Sequence, residues 1–403
     1  MFEVDFMNYQ EKNAQLLYQQ IKHKLLNIYD VFGYEEICLP LFEKYENYIK
    51  YKAVNEESLL KLIDRSGNIL VIRPDATFHV LKTVQNMDDN INKCCYMTNI
   101  FRFRDDNYEK NDILQTGVEL FDSSSPYADA EVITLAIESL KSLDIQNIHI
   151  DLGHSQFVHA FLKDIGINDD KDIAHYHHLL DNKNIISLTD SLNNAKINDT
   201  YINQLCDIAM LFGNYEDIRA KAELVCRNKK MENILLEIDN IYSALKSFRV
   251  ENYIHLDLGF SNPMNYYSGM IFKGYVVNHG EAVISGGRYD ALAQQFANKR
   301  CACGFGHNID VTIDILSKRE QNLTPKKMIL LTGKDKISAT KIATYLRQEG
   351  HRCLLTFNNK NIIHLHYDTI IEVDYIYTTI KKSDNAISTI LTKNILNKGI
   401  EIC

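Results

Sequence analysis

Residues 93–105, KCCYMTNIFRFRD, and residues 112–122, DILQTGVELFD, decide the reading of this chain. Each run is rich in apolar, β-branched and aromatic residues, and a short polar segment separates them. That pattern predicts two antiparallel strands joined by a hairpin loop. In the second run Gln115 and Glu119 stand four residues apart. Side chains alternate along a strand, so both point to the same face of the sheet. A carboxylate inside the apolar run GVELF is costly unless a partner or a ligand meets it. The hairpin therefore predicts both a sheet and a polar pair that must face something.

Working outward, Leu17, Ile21, Leu25, Ile28 and Phe32 recur at helical spacing before Gly33. YEEICLPLFE (34–43) predicts a strand that Pro40 interrupts, as an edge or interface strand tolerates. NILVIRP leads into a helix opening at Asp75-Ala76-Thr77, where Asp and Thr suit a cap. ADAEVITLAIESLKSL predicts an amphipathic helix, and NIHIDLG a strand before another helix. Residues 170–250 read as an inserted helical subdomain. The strand pattern resumes in YIHLDLGF, GMIFKGYVV, EAVISGG and CACGFGH. After the linker REQNLTPKK, the strand MILLTG, a helix over 338–349 and the strand RCLLTF give a βαβ start to a small α/β domain. The expected division is a body over 1–322, with its insertion at about 170–250, and a C-terminal domain over 325–403.

The bulk numbers set limits. The chain has 403 residues, enough for two or three cores, and 45% hydrophobic and 24% charged residues, an ordinary globular mixture. No apolar run is long enough to span a bilayer, and the N-terminus lacks the basic and apolar regions of a signal peptide, so no membrane partner and a cytoplasmic location are expected. The nine cysteines show no C-x-x-C spacing and read as free thiols. The cluster His175, His177 and His178 reads as a helix surface, with no metal and no cofactor expected. Net charge is −9, which disfavours broad nucleic-acid binding. The charge is uneven, however: residues 325–403 hold twelve Lys and Arg against seven Asp and Glu.

Five motifs in order carry a resemblance spanning roughly residues 10 to 315. GYEEICLPLFE, and IFRFRD with ILQTGVELFD, resemble motifs 1 and 2 of class II aminoacyl-tRNA synthetases, and SGGRYDAL with CACGFGHNID resembles the region leading into motif 3. RPDAT, QTGVE, NYYSG and GGRYD are most similar to histidyl-tRNA synthetase. The resemblance implies an α+β fold with an antiparallel sheet flanked by helices, an anticodon-binding-like C-terminal domain, and a homodimer through the motif 1 region. It also implies a histidine site at Asp75, Thr77, Gln115, Glu119, Tyr266 and Tyr267, with Arg102 as a phosphate contact.

Departures from the family bear on activity. The resemblance implies arginines where this chain has Asn262 and Val311. The motif 2 loop, basic in the family, here carries Asp105, Asp106, Glu109 and Asp112 against Lys110 and would repel a triphosphate. Adenylation needs cations around the phosphates, so these changes argue against it. A histidine-binding, non-activating relative resembles the regulatory subunit of ATP phosphoribosyltransferase. That likeness implies the short-form catalytic subunit as partner, no specific nucleic acid, and feedback inhibition by histidine. An active histidyl-tRNA synthetase and a histidine sensor for another partner stay open as alternatives. Structural readings stand beside these: Gly286 and Gly287 as a tight turn, Arg288 with Asp290 as a local ion pair, and Tyr266 and Tyr267 as core and interface residues, since neighbours on a strand face opposite sides.

Overall fold

The computed structural model describes residues 9–51, 56–85, 92–102, 112–122, 124–260, 266–296, 301–318, 329–357, 368–382 and 386–398. Asn262 and the acidic stretch 103–111 lie outside them. The chain divides into two compact units, Leu17–Arg319 and Glu320–Cys403 together with Met1–Leu16.

Helix α1 (Tyr9–Val31) buries Leu17, Ile21, Leu25 and Tyr29 along one stripe, and Gly33 at φ +81° ends it. The predicted strand over 34–43 is two strands in two sheets, β1 (Glu35–Glu36) and β2 (Phe42–Lys44). Pro40 between them has no N–H to offer a ladder. After α2 (Tyr45–Tyr51), strands β3 (Lys61–Ile63) and β4 (Ile69–Ile72) complete a three-stranded sheet with β2. Helix α3 (Ala76–Gln85) follows, its Phe78 N–H donating to Asp75 Oδ1 at 3.0 Å, so Asp75 does cap a helix.

Then come β5 (Lys93–Phe101) and β6 (Asp112–Asp122), the predicted hairpin pair, antiparallel with Cys94 opposite Glu119 and Thr98 opposite Gln115. Helix α4 (Pro126–Ser142), β7 (Ile148–His154) and α5 (Phe157–Asp164) lead to helices α6 (Asp170–Asp181), α7 (Ile185–Asn194), α8 (Asp199–Ala209), α9 (Tyr215–Val225) and α10 (Lys229–Phe248). A short strand, β8 (Phe212–Asn214), interrupts them. Strands β9 (Ile254–Asp257), β10 (Met270–Val276) and β11 (Ile284–Arg288), helix α11 (Asp290–Ala293), β12 (Cys301–Asn308) and helix α12 (Ile309–Ser317) finish the unit.

Nine strands form one sheet in the order β1-β5-β6-β12-β11-β10-β7-β9-β8. All neighbours are antiparallel except β1 with β5 and β7 with β9. On one face Phe305 meets Tyr29 of α1 edge-on, and Arg288 pairs with Asp129 of α4. The opposite face is left for the site. Gly286 and Gly287 lie inside β11 rather than in a turn, because the strand continues to Arg288 and pairs with β12 throughout.

In the second unit, strands β13 (Ile329–Gly333), β14 (Cys353–Leu355), β15 (Thr369–Val373), β16 (Tyr377–Lys382) and β17 (Ile387–Leu391) form a sheet in the order β14-β13-β15-β16-β17. Strands β13 and β14 are parallel across α13 (Lys336–Gln348), the expected βαβ unit. The helix starts two residues earlier than its apolar pattern suggests because the Asp335 side chain accepts from Ser338 N–H at its N-terminus.

Candidate ligand-binding site

A cavity of ≈ 250 Å³ opens on the free face of the nine-stranded sheet. Asp75, Thr77, Arg102, Gln115, Glu119, Tyr266 and Tyr267 all line it, together with Tyr96, Lys273, Ser285, Tyr289, Gly304 and Gly306.

Strand parity builds the floor. Glu119 stands opposite Gly304, and Gly117 opposite Gly306, on the face that carries Gln115. A Cβ at Gly304 would run into the Glu119 carboxylate and the Val118 carbonyl, and one at Gly306 into the Gln115 amide. The alternating glycines of CACGFGH therefore leave the room that the two polar side chains occupy. Gly287 does the same beneath the ring of Tyr267. Tyr266 and Tyr267 both face the cavity, contrary to the reading of a strand with alternating sides. They lie in the turn before β10, which begins at Met270, so the two-residue period does not apply.

Glu119 is the centre of the site. It is 1% exposed and accepts from Thr77 Oγ1 at 2.7 Å and from the Tyr289 hydroxyl. Burial pushes its carboxyl up to about 8, against the two hydrogen bonds, and the nearby Asp75 adds to the rise. Asp75 is also raised by burial, with Arg102 opposing the rise from 3.7 Å. Arg102 is held in place by its Nε, which donates to Pro74 O at 2.7 Å. Tyr96 donates to Gln115 Oε1 at 3.3 Å. One end of the cavity is thus two carboxyls, a carboxamide and several phenols, a set that suits a ligand bearing an ammonium and an imidazole.

Tyr289, the Gly304–Gly306 floor and Lys273 were not anticipated from the sequence. Tyr289 lies within the quoted GGRYD motif, and the glycine alternation opposite QTGVE was the available signal for the floor. Val311 is buried in the first turn of α12, its N–H donating to Asn308 Oδ1 at 3.2 Å. On α6 His175 and His178 are exposed, whereas burial, with His159 nearby, lowers half-buried His177 to about 4. Among the described residues no group of His, Cys, Asp and Glu could hold a metal ion, and no helix is long and apolar enough to cross a membrane.

Residues 9–311 match the family model of histidyl-tRNA synthetase. Among solved structures, the fold is similar to an ATP phosphoribosyltransferase regulatory subunit/histidyl-tRNA synthetase from Bacillus halodurans. The TM-score is 0.80 at 25% identity, covering 92% of this chain and 97% of that one. It is also similar to histidyl-tRNA synthetase from Nostoc sp., with a TM-score of 0.76 at 16% identity over 99% of this chain and 98% of that one, a likeness of fold. In sequence, the chain is 33% identical to the ATP phosphoribosyltransferase regulatory subunit of Oceanobacillus iheyensis over 88% of this chain and 86% of the relative. It is also 33% identical to that of Clostridium novyi, over 84% and 82%. With its class II synthetase-like α+β fold, the chain belongs to the family of ATP phosphoribosyltransferase regulatory subunits, which shares the histidyl-tRNA synthetase family model.

Proposed function

We propose that this protein is a non-catalytic regulatory subunit that binds free histidine in the cavity around Glu119. It assembles with the short-form catalytic subunit of ATP phosphoribosyltransferase, supports the first step of histidine biosynthesis, and makes that step sensitive to histidine. One observation carries the reading. The acidic end of the cavity is complete, with Glu119, Asp75, Thr77 and Gln115 converging, whereas the position at which the synthetase resemblance implies an arginine is a buried valine, Val311. Binding without activation follows from keeping the acceptors and losing a phosphate-facing cation. Asp75, Tyr266 and Tyr267 complete the ligand's surroundings. Exposed Leu41 and Phe42, beside the motif 1-like proline, support a homodimer through that region in the cytoplasmic assembly.

Arg102 on the cavity wall favours one other reading, an active histidyl-tRNA synthetase. Histidine-dependent exchange of pyrophosphate into ATP separates the two. The regulatory reading expects none above a no-protein blank, and histidine-sensitive phosphoribosyl transfer when the catalytic subunit is added. Robust exchange would replace it with the synthetase reading.

A further inference from the structure

Lys273 lines the cavity at the end away from Glu119. Its register partners are Ser285 on β11 and Asp151 on β7, so the three side chains share one row on the cavity face. Among the described residues the Lys273 ammonium donates no hydrogen bond and makes no ion pair. Its Nζ lies 4.9 Å from the centroid of the Phe260 ring.

The neighbouring charged groups are otherwise committed. Arg102 is held by Pro74 O and faces Asp75. Asp257 is gripped by Lys183, whose Nζ lies 3.1 Å from both carboxylate oxygens. Asp151, the nearest acid to Lys273 in the row, is pushed up to about 7 by burial and by Asp257, with Lys273 and Lys183 opposing the rise, and its buried Oδ1 has no hydrogen-bond partner. Lys273 is thus a half-buried cation that lines the cavity, acts on Asp151 through its charge, and grips no carboxylate by hydrogen bond, which leaves its ammonium available to an anionic group on a ligand.

The spacing suits an amino acid with a basic side chain. Strands β6 and β10 are three strand spacings apart, about 14 Å at the backbone. The Glu119 carboxylate already reaches across to Gly304 on the next strand, which leaves about 10 Å of floor, Gly304, Gly306 and Ser285, before β10. That length takes a ligand with a cationic group at one end and an anionic group at the other.

We propose that Lys273 is the carboxylate-recognising residue of this cavity, holding the ligand's α-carboxylate while its cationic groups lie toward Glu119 and Asp75. The inference rests on the histidine reading of the cavity and adds the ligand's orientation.

Calorimetry on the full chain with histidine and with histamine, which lacks the carboxylate, tests it. The wild type should prefer histidine by about tenfold or more, the usual scale for a hydrogen bond to a charged group. Lys273→Met should weaken histidine by about that factor and leave histamine within about twofold, erasing the preference, while Lys273→Arg should restore it. If Lys273→Met retains the wild-type preference, or weakens both ligands equally, the role of Lys273 is overturned while the histidine site stands. A wild type that binds neither ligand overturns the histidine reading itself, and this inference with it.

Discussion

Replacing Glu119 by glutamine removes a buried charge while keeping the shape of the side chain, and its effect on stability can be worked out from the cavity. In the folded chain the carboxyl is pushed from 4.5 up to about 8 because burial outweighs the two hydrogen bonds it accepts. Between those two pH values the folded protein holds a proton that the unfolded chain has released, so stability falls as pH rises through that window. The loss is about 1.4 kcal/mol per pH unit, which amounts to about 4 kcal/mol between pH 5 and pH 8. Glu119→Gln has no such proton to lose. Wild type and variant should therefore be of similar stability at pH 5 and diverge steadily above it, the variant being the more stable by pH 8.

The assay is urea unfolding of the ligand-free protein at several pH values, followed by far-ultraviolet circular dichroism because the chain contains no tryptophan. Comparing wild type with variant cancels the raised carboxyls Asp129 and Asp151, which titrate in both, whereas Asp75, also raised and acting on Glu119, stays in the difference. Saturating histidine should flatten the wild-type slope, because a cation beside the carboxylate stabilises its charged form. For the same reason histidine binding at pH 7 should release a proton from Glu119, seen as a buffer-dependent calorimetric heat. The variant should bind histidine at least about tenfold more weakly, since a donor on the ligand is left without its anion. Parallel pH–stability curves for the two proteins would refute the reasoning, and unchanged histidine affinity in the variant would move the ligand to another site.

Other outcomes are expected from the same geometry. Gly306→Ala should weaken histidine binding more than about tenfold with little change in melting temperature, because the atoms its Cβ meets first belong to the Gln115 amide, a side chain that can move. Gly304→Ala should in addition cost about 2 kcal/mol of stability, since the Val118 carbonyl cannot give way; calorimetry and thermal melts separate the two. Tyr267→Phe should raise the histidine concentration for half-inhibition of the assembled transferase by about threefold to tenfold, and an unchanged inhibition curve would remove its hydroxyl from the site. The basic stretch 325–403 should bind tRNA only weakly and with steep salt dependence, whereas submicromolar, selective binding to histidine tRNA at physiological salt would contradict that.

The parts of this site that were legible in the sequence are those governed by one local period. Gln115 and Glu119 face the cavity because both belong to one strand and lie four apart, which needs no knowledge of the rest of the chain. Asp75 reads as a helix cap from its own neighbours and proves to be one. Residues whose role depends on a partner distant in sequence were not legible. Gly304 and Gly306 matter through what stands opposite, and that register joins positions nearly two hundred residues apart. Tyr289 is visible in GGRYD, but its hydroxyl reaches Glu119 only after β11 and β12 have paired. Tyr266 and Tyr267 both line the cavity, and strand alternation gives no guide to them because β10 begins only at Met270. Pro40, expected as an interruption that one edge or interface strand tolerates, separates strands of two sheets.

The two faces of the large sheet treat a buried carboxyl in different ways, and the contrast supports the proposed ligand position. Behind the sheet, Asp129 is 3% exposed and accepts from Arg288 Nε at 3.0 Å, while Arg288 Nη1 reaches Asp290 at the same distance. With that guanidinium beside it, burial raises Asp129 only to about 6. Glu119, equally buried on the cavity face, has two neutral hydroxyl donors and a second acid nearby, and it rises to about 8. Neutral donors stabilise a carboxylate less than a guanidinium does, so the folded chain carries the larger cost at Glu119. Replacing Glu119 by glutamine in the free protein would lower that cost, so packing alone gives no reason for an acid at this position. A cationic ligand would supply one, because it is the partner that Asp129 has built in and that Glu119, with only hydroxyl donors, does not.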